Sequence, residues 1–137
     1  MQLHLEIITP ERIAYTDTVD MVTVPGVMGT MGVLPKHIPL FAQLTHGELK
    51  IKKGDDNYYL SIGGGFIEVT KEKVIVLVTR AVNAKELNEK EILEAKQRAE
   101  EALKEKPTGE AFITAQMLLR QTLVDLKILR LRRRTVN

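Results

Sequence analysis

Cysteine and tryptophan are both absent from the 137 residues. The first absence excludes disulfides and thiolate metal sites and fits a reducing compartment. Aromatic residues make up 4% of the chain, so a core drawn from its 44% of hydrophobic residues has to be aliphatic. No segment approaches the roughly 20 consecutive apolar residues of a membrane-spanning helix. The stretch Met1-Gln2-Leu3-His4-Leu5-Glu6 has neither the basic segment nor the apolar run of a secretory signal. Membrane association is therefore expected to be peripheral, and the length suits one domain, or one small domain with an appendage.

Catalytic constellations are missing as well. Gly63-Gly64-Gly65 is followed by no Lys-Ser/Thr, and Phe66-Ile67-Glu68-Val69 reads as a strand rather than a helix start, so the glycines predict a tight turn or a close sheet contact instead of a phosphate loop. His4, His37 and His46 are scattered without glutamate or cysteine at ligand spacing, and no metal site is expected. No Ser/His/Asp arrangement is legible, so no catalytic residue is assigned.

What is present falls into two halves. Leu3, Leu5 and Ile7 alternate with His4 and Glu6, and Met21-Val22-Thr23-Val24 is a β-branched run that ends at Pro25-Gly26. Further strands are predicted over 47–52, 57–62, 66–70 and 73–79, separated by turn signals every 8–12 residues. That spacing indicates an antiparallel sandwich, and the lack of intervening helical patterns argues against parallel βαβ units. Near Ala84 the composition changes. Residues 85–106 contain no glycine or proline and are rich in Glu, Lys, Ala and Leu. Asn88 reads as an N-cap with Glu91 as its capping-box partner. Ile92, Ala95, Ala99 and Ala102 form a narrow small-residue stripe, and Glu86–Lys90 and Glu100–Lys104 are spaced as i,i+4 pairs. Pro107-Thr108-Gly109 breaks the pattern. A second helix is predicted from about Glu110 to Arg134, with Phe112, Ala115, Leu119, Leu123 and Leu126 on one side and Leu118, Ile128 and Leu131 widening the stripe. The fold class is thus α+β: an antiparallel β-sandwich over 1–84 followed by an antiparallel two-helix hairpin over 85–137. The second helix has more apolar surface than an alanine stripe covers, which predicts a further partner.

Charge is distributed unevenly. The net +2 of the whole chain conceals a C-terminal end, 109–137, with six basic and two acidic residues. Its run Arg130-Leu131-Arg132-Arg133-Arg134 has three readings: a solvated helix end whose cations suit the helix dipole, a docking site for an acidic protein surface, or a site for nucleic acid or anionic membrane. No aromatic stacking platform accompanies it.

The segment Gly29-Thr30-Met31-Gly32-Val33-Leu34-Pro35-Lys36-His37-Ile38-Pro39-Leu40 carries two glycines and two prolines flanking a histidine. Four such backbone constraints predict a shaped surface loop made for docking.

The combination Gly29-x-x-Gly32-x-x-Pro35-x-His37-x-Pro39, Gly64-Gly65-Phe66-x-Glu68-Val69 and a helical C-terminus resembles the ε subunits of bacterial F-type ATP synthases, whose architecture plastid relatives share. Leu87-Asn88-Glu89 and Glu94-Ala95-Lys96-Gln97-Arg98-Ala99-Glu100-Glu101 fit the first C-terminal helix of that family. The resemblance covers essentially the whole chain. It implies a non-catalytic rotor subunit of a proton-translocating synthase at the cytoplasmic face of the cell membrane, touching the membrane only through the complex. The sandwich would hold the γ subunit and rest on the ring of c subunits, with Gly29, Thr30, Gly32, Pro35, Lys36, His37 and Pro39 at the ring or stalk contact. The hairpin would be a mobile brake on ATP hydrolysis, with Arg120, Lys127, Arg130, Arg132, Arg133 and Arg134 meeting the acidic loop of the catalytic β subunits. The alternative from another class is a stand-alone basic adaptor for nucleic acid or anionic membrane.

The chain departs from that family in three places. Thr30 stands where glutamate is usual and Lys36 where a glycine commonly precedes the histidine, which implies a more positive ring contact. In the Ile/Leu-Asp-x-x-Arg-Ala motif with which many relatives bind ATP, this chain has Leu87-Asn88-Glu89-Lys90-Glu91-Ile92. Asn88, Glu91 and Ile92 replace the aspartate, arginine and alanine, leaving Arg98 as the remaining phosphate contact. ATP binding is expected to be weak or absent, and no other cofactor is implied.

Overall fold

The computed structural model describes residues 2–135, with side chains through Leu131. The chain divides into two compact units, Met1–Val82 and Asn83–Asn137.

The first unit consists of ten strands: β1 Leu3–Ile8, β2 Ile13–Val19, β3 Met21–Gly26, β4 Gly29–Val33, β5 Leu40–Leu44, β6 Gly47–Lys53, β7 Asp56–Ile62, β8 Gly65–Val69, β9 Lys73–Val78 and β10 Ala81–Asn83. They hydrogen-bond in the order β10-β7-β6-β3-β5-β8-β9-β1-β2, with β4 paired to β3 alone. β3 joins the two halves of this path. It pairs with β6 over Met21–Thr23 but with β5 at the single rung Gly26↔Leu44, so the sheet turns over on itself there. Period-2 alternation places Leu5, Ile7, Val22, Val24, Leu49, Ile51, Ile67 and Val76 inside with almost no exposure. Among the described residues, every hydrophobic side chain of this core is aliphatic, as the composition requires. Each contributes about 1.5–3 kcal/mol by leaving water.

Several sequence expectations are corrected by pairing. Strand β3 does not stop short of Pro25-Gly26 but runs through both residues. Pro25 pairs with Thr30 and Gly26 with Gly29, while the Pro25 carbonyl accepts a hydrogen bond from Thr45 N–H at 2.9 Å. A proline is tolerated because its missing donor falls at a sheet corner. Gly29 to Val33 is not loop but edge strand β4, and only the Leu34–Pro39 half of the segment is irregular. Its glycines fit an edge strand, and Gly29 has φ of +131°, a conformation closed to other residues. Strands β2, β5 and β10 were not legible. β2 lacks strict alternation of burial, and β5 and β10 are five and three residues long. One strand pair, β1 with β9, is parallel, through rungs His4↔Lys73 to Ile8↔Leu77. It joins segments far apart in the chain without a βαβ unit.

Gly63-Gly64-Gly65 is the predicted close contact. A Cβ on Gly65 would lie 1.9 Å from the Leu77 carbonyl oxygen and 2.8 Å from Val78 Cα. The β6–β7 hairpin is pinned from below by polar contacts: Lys53 Nζ donates to Asp17 at 2.5 Å, and Gly54 N–H donates to Asp20 at 2.6 Å. The bond from Lys53 holds the Asp17 carboxyl below its ordinary range, and the same bond raises Lys53. Burial, helped by the nearby Asp17 charge, raises the phenol of Tyr15.

The second unit opens with a 3₁₀ turn at Ala84–Glu86, followed by α1 Glu89–Lys104 and α2 Gly109–Thr135. The helix predicted from residue 85 is thus two pieces. Asn88 caps α1 by accepting from Glu91 N–H at 3.2 Å. A reciprocal capping box forms one turn earlier, between Asn83 and Glu86. Glu86 lies before α1, out of helical register with Lys90, and an ion pair within α1 joins Lys96 and Glu100 at 3.7 Å. Ile92 and Ala99 are buried and Ala95 is half-buried, while Ala102 is exposed. On α2 Ala115, Leu119, Thr122 and Leu126, at 4,3,4 spacing, form a track that is buried except for the half-buried Leu119, and Asp125 and Ile128 beside it are buried too. Thr122 enters this apolar track because its hydroxyl donates to the Leu119 carbonyl at 2.8 Å.

Candidate functional site

Strand β4 carries the backbone about 14 Å from Gly29 to Val33 at a rise near 3.4 Å per residue. Gly29 and Thr30, both exposed, therefore lie at one end of this strand, and Pro35, Lys36, His37 and Pro39 lie beyond the other, with Gly32 exposed on the strand itself. The segment is two surfaces rather than one.

The second surface is built from turns. His37 N–H donates to the Leu34 carbonyl at 3.1 Å, closing Leu34-Pro35-Lys36-His37 into a four-residue turn. Lys36 has φ of +64°. Proline at the second position and positive φ at the third are the signature of a type II turn, in which the third position favours glycine. The imidazole Nδ1 of His37 is 2.7 Å from the Ile38 carbonyl. Because a carbonyl only accepts, Nδ1 is the donor in this contact. Beside this turn lies the β8–β9 turn, Thr70–Lys73. There Thr70 Oγ1 accepts from Lys73 N–H at 3.2 Å and donates to the Lys73 carbonyl at 3.1 Å. The two turns, with Gln2 and Leu3, line a pocket of about 130 Å³ that gathers Lys36, His37, Lys71, Glu72 and Lys73. Leu34 and Ile38 stand exposed at 56% and 76%.

A second feature escaped the sequence reading. On β5, β8 and β9 the residues alternating with the core include Phe41, Phe66 and Leu77, which are exposed. The Phe41 and Phe66 rings stack at 5.4 Å between centroids. Phe66 and Leu77 also border an apolar depression of about 370 Å³ with Ile8 and Pro10. The signal was available: two of the chain's three phenylalanines fall at solvent-facing positions of their strands.

In the helical unit, Phe112, Gln116, Arg120, Leu123, Lys127 and Arg130 recur at 4,4,3,4,3 spacing, and all are exposed. Phe112 and Leu123, expected on the covered side, instead share an outward face with the basic residues. Arg132, Arg133 and Arg134 lie outside the described side chains. Arg98 is exposed on α1. Asn88, at the aspartate position of the ATP motif, has its side-chain oxygen committed to the helix cap. Among the described residues, no three His, Cys, Asp or Glu side chains are grouped to hold a metal ion, and no helix is long and apolar enough to cross a membrane.

The β-sandwich domain of the ATP synthase delta/epsilon chain matches residues 2–84. The ATP synthase epsilon chain of Dehalococcoides mccartyi is 40% identical over 134 residues, covering 97% of this chain and 96% of that one. That of Herpetosiphon aurantiacus is 38% identical, covering 97% and 98%. In fold, the chain is similar to one in the mitochondrial ATP synthase of Euglena gracilis, solved as its OSCP/F1/c-ring assembly, with a TM-score of 0.80 at 23% identity over 92% of this chain and 79% of that one.

Proposed function

The chain belongs to the ATP synthase epsilon-chain family, and from that premise we propose that it is a non-catalytic central-stalk subunit that couples the membrane rotor to the catalytic head and restrains ATP hydrolysis through its C-terminal helices. The observation that carries this reading is similarity that runs across both units, 97% of the chain. The sandwich would join the γ subunit and the ring of c subunits, and the whole would sit peripherally at the membrane through the complex. The exposed apolar face around Phe41, Phe66 and Leu77 has the character of a surface that a permanent protein partner covers, and we assign it to the γ subunit. The outward face of α2 combines Phe112 and Leu123 with Arg120, Lys127 and Arg130. That pattern suits an acidic protein surface, where charge sets orientation and apolar contact sets residence. Tight ATP binding is not part of the proposal, because Glu91 puts a carboxylate where a cation would have to meet phosphate.

Deleting residues 110–137 should leave assembly intact and raise ATP hydrolysis by the parent complex. Unchanged hydrolysis would remove the restraint from the proposal. The same α2 face also fits a stand-alone adaptor for nucleic acid or anionic membrane. Under that reading the chain purifies without a coiled-coil partner and binds DNA or vesicles in a salt-sensitive way.

A further inference from the structure

The helical unit begins with two formed caps, at Asn83 and Asn88. Asn83 and Glu86 make the reciprocal box of the 3₁₀ turn: Lys85 N–H donates to the Asn83 side chain at 2.9 Å, and Asn83 N–H donates to Glu86 at 3.3 Å. Asn88 then caps α1. Between the two elements the chain is extended at Leu87 (φ −98°, ψ 140°) and Asn88 (φ −116°, ψ 115°). Both residues depart from a helix chiefly in ψ, so two rotations separate this path from a continuous one.

Nothing in the local sequence requires that break. Residues 84–88 read Ala-Lys-Glu-Leu-Asn, good helix formers up to the last, with no glycine or proline. Asn83 with Glu86 is also the box that would open an α-helix at Ala84. A continuous helix would close the hydrogen bonds of residues 88–91 on the carbonyls of 84–87 and bring Glu86 into register with Lys90. Against it stand the Asn88 cap and packing. The 3₁₀ turn lies against α2, and Ala84 and Leu87 are half-buried. On a helix Leu87 would sit about 140° from Ile92, off the covered stripe. Tertiary contact therefore holds a break that the sequence does not encode.

We propose that α1 has two alternative starts. The short one, at Glu89, holds while α2 backs the 3₁₀ turn. When α2 leaves, residues 84–88 join α1 as one helix over 84–104, capped by Asn83 and Glu86. The longer helix carries the departure of α2 to residue 84, at the opposite end of α1 from the α1–α2 connection. The inference deepens the proposed restraint of hydrolysis and rests on it, because a mobile restraint requires helices that change what they pack against.

The test places a metal clamp across the break in the full chain. Histidines four residues apart on one helix face chelate a metal ion together. Lys85→His with Glu89→His supplies such a pair and leaves Asn83, Glu86 and Asn88 in place. Nickel is the probe, and the chain without the clamp gives the background of its three native histidines. The clamp is compared in two backgrounds: α2 as it stands, and α2 displaced by Ala115→Glu with Leu126→Glu, which put carboxylates on its buried track. Loss of nuclear Overhauser contacts between α1 and α2 establishes the displacement, and unchanged amide shifts of the strands establish that the sandwich is folded. Apparent affinity scales with the fraction of chains in the binding-competent form, so nickel should bind at least about tenfold tighter once α2 is displaced. Without nickel, the Cα shifts of residues 84–88 should then match the helical values of residues 92–102. Equal nickel affinity in the two backgrounds, or a non-helical 84–88 beside a helical 92–102, would overturn the second start. If the displaced α1 loosens as a whole, nickel should restore helix over 84–104 together, and restoration that stops at residue 89 would overturn it as well. All of this is read on the isolated chain. Unchanged hydrolysis after deletion of 110–137 would therefore remove the restraint while the two starts stand or fall separately.

Discussion

Replacing Lys36 by glycine should make the sandwich more stable, although it deletes a side chain. Lys36 holds φ of +64° at the third position of a hydrogen-bonded turn. A left-handed conformation costs an L-residue about 1–2 kcal/mol through contact of Cβ with the neighbouring carbonyl. Glycine escapes that contact but makes the unfolded chain freer, which takes back about 0.4–1 kcal/mol. The net gain for Lys36→Gly is about 0.5–1 kcal/mol, a rise in melting temperature of about 3–6 °C for a domain of this size. Lys36→Ala is the necessary comparison. It relieves the same repulsion from Lys71 and Lys73 but keeps Cβ, so it should stay within about 0.5 kcal/mol of the wild type. The assay can isolate the unit concerned. All three tyrosines, Tyr15, Tyr58 and Tyr59, lie on β2 and β7, so the tyrosine band of the near-UV circular dichroism follows the sandwich during heating, apart from Phe112 on α2. If the glycine variant melts no higher than the alanine variant, the strain argument is wrong.

Gly65→Ala should destabilise the sandwich by about 3 kcal/mol or prevent folding, since its Cβ would sit 1.9 Å from Leu77 O and force β8 from β9. Gly64→Ala meets its nearest atom at 3.5 Å and should cost under about 1 kcal/mol, and equal effects in urea titrations would contradict this. The Asp17–Lys53 bond gives a pH signature. Asp17 is lowered from 3.8, so its contribution is complete above that value and is lost as pH falls through the lowered one. Lys53 is raised from 10.5, so its share is complete below that value and disappears as pH rises through the raised one. The stability difference between wild type and Asp17→Asn should be flat from roughly pH 5 to 9 and shrink on either side; a difference that grows in acid would refute the pairing. Asn88→Ala should cost α1 about 1 kcal/mol through loss of its cap, read as lower ellipticity at 222 nm, whereas Asn88→Asp keeps the cap and should not.

How much of this was legible in sequence depended on whether the deciding contact was local. Leu3, Leu5 and Ile7 announced β1 because alternation alone says which face is buried. Asn88 announced the start of α1 because a cap acts across three residues. The Gly29–Val33 strand was not legible because two of its five residues are glycines, which are poor strand formers. Only pairing with Val22 to Gly26 makes the segment a strand. The parts of the candidate site followed the same division. Pro35, Lys36 and His37 stood out as a constrained turn, but nothing local connects them to Lys71 and Lys73.

The sequence by itself determined an aliphatic sandwich, a break near Ala84 and a helical end with concentrated positive charge. Composition and short-range periodicity decide what each segment can bury. Only the tertiary structure decided which surfaces exist. It set Lys36 beside the Thr70–Lys73 turn, stacked Phe41 on Phe66, and turned Leu123 outward with Arg120, Lys127 and Arg130. The first two join residues more than twenty positions apart, through strand pairings and turn packing that no local pattern records. The last depends on which of several apolar tracks along α2 is covered. That choice follows from the shape of what packs against the helix, because a buried seam forms where side chains fit and not wherever they are apolar.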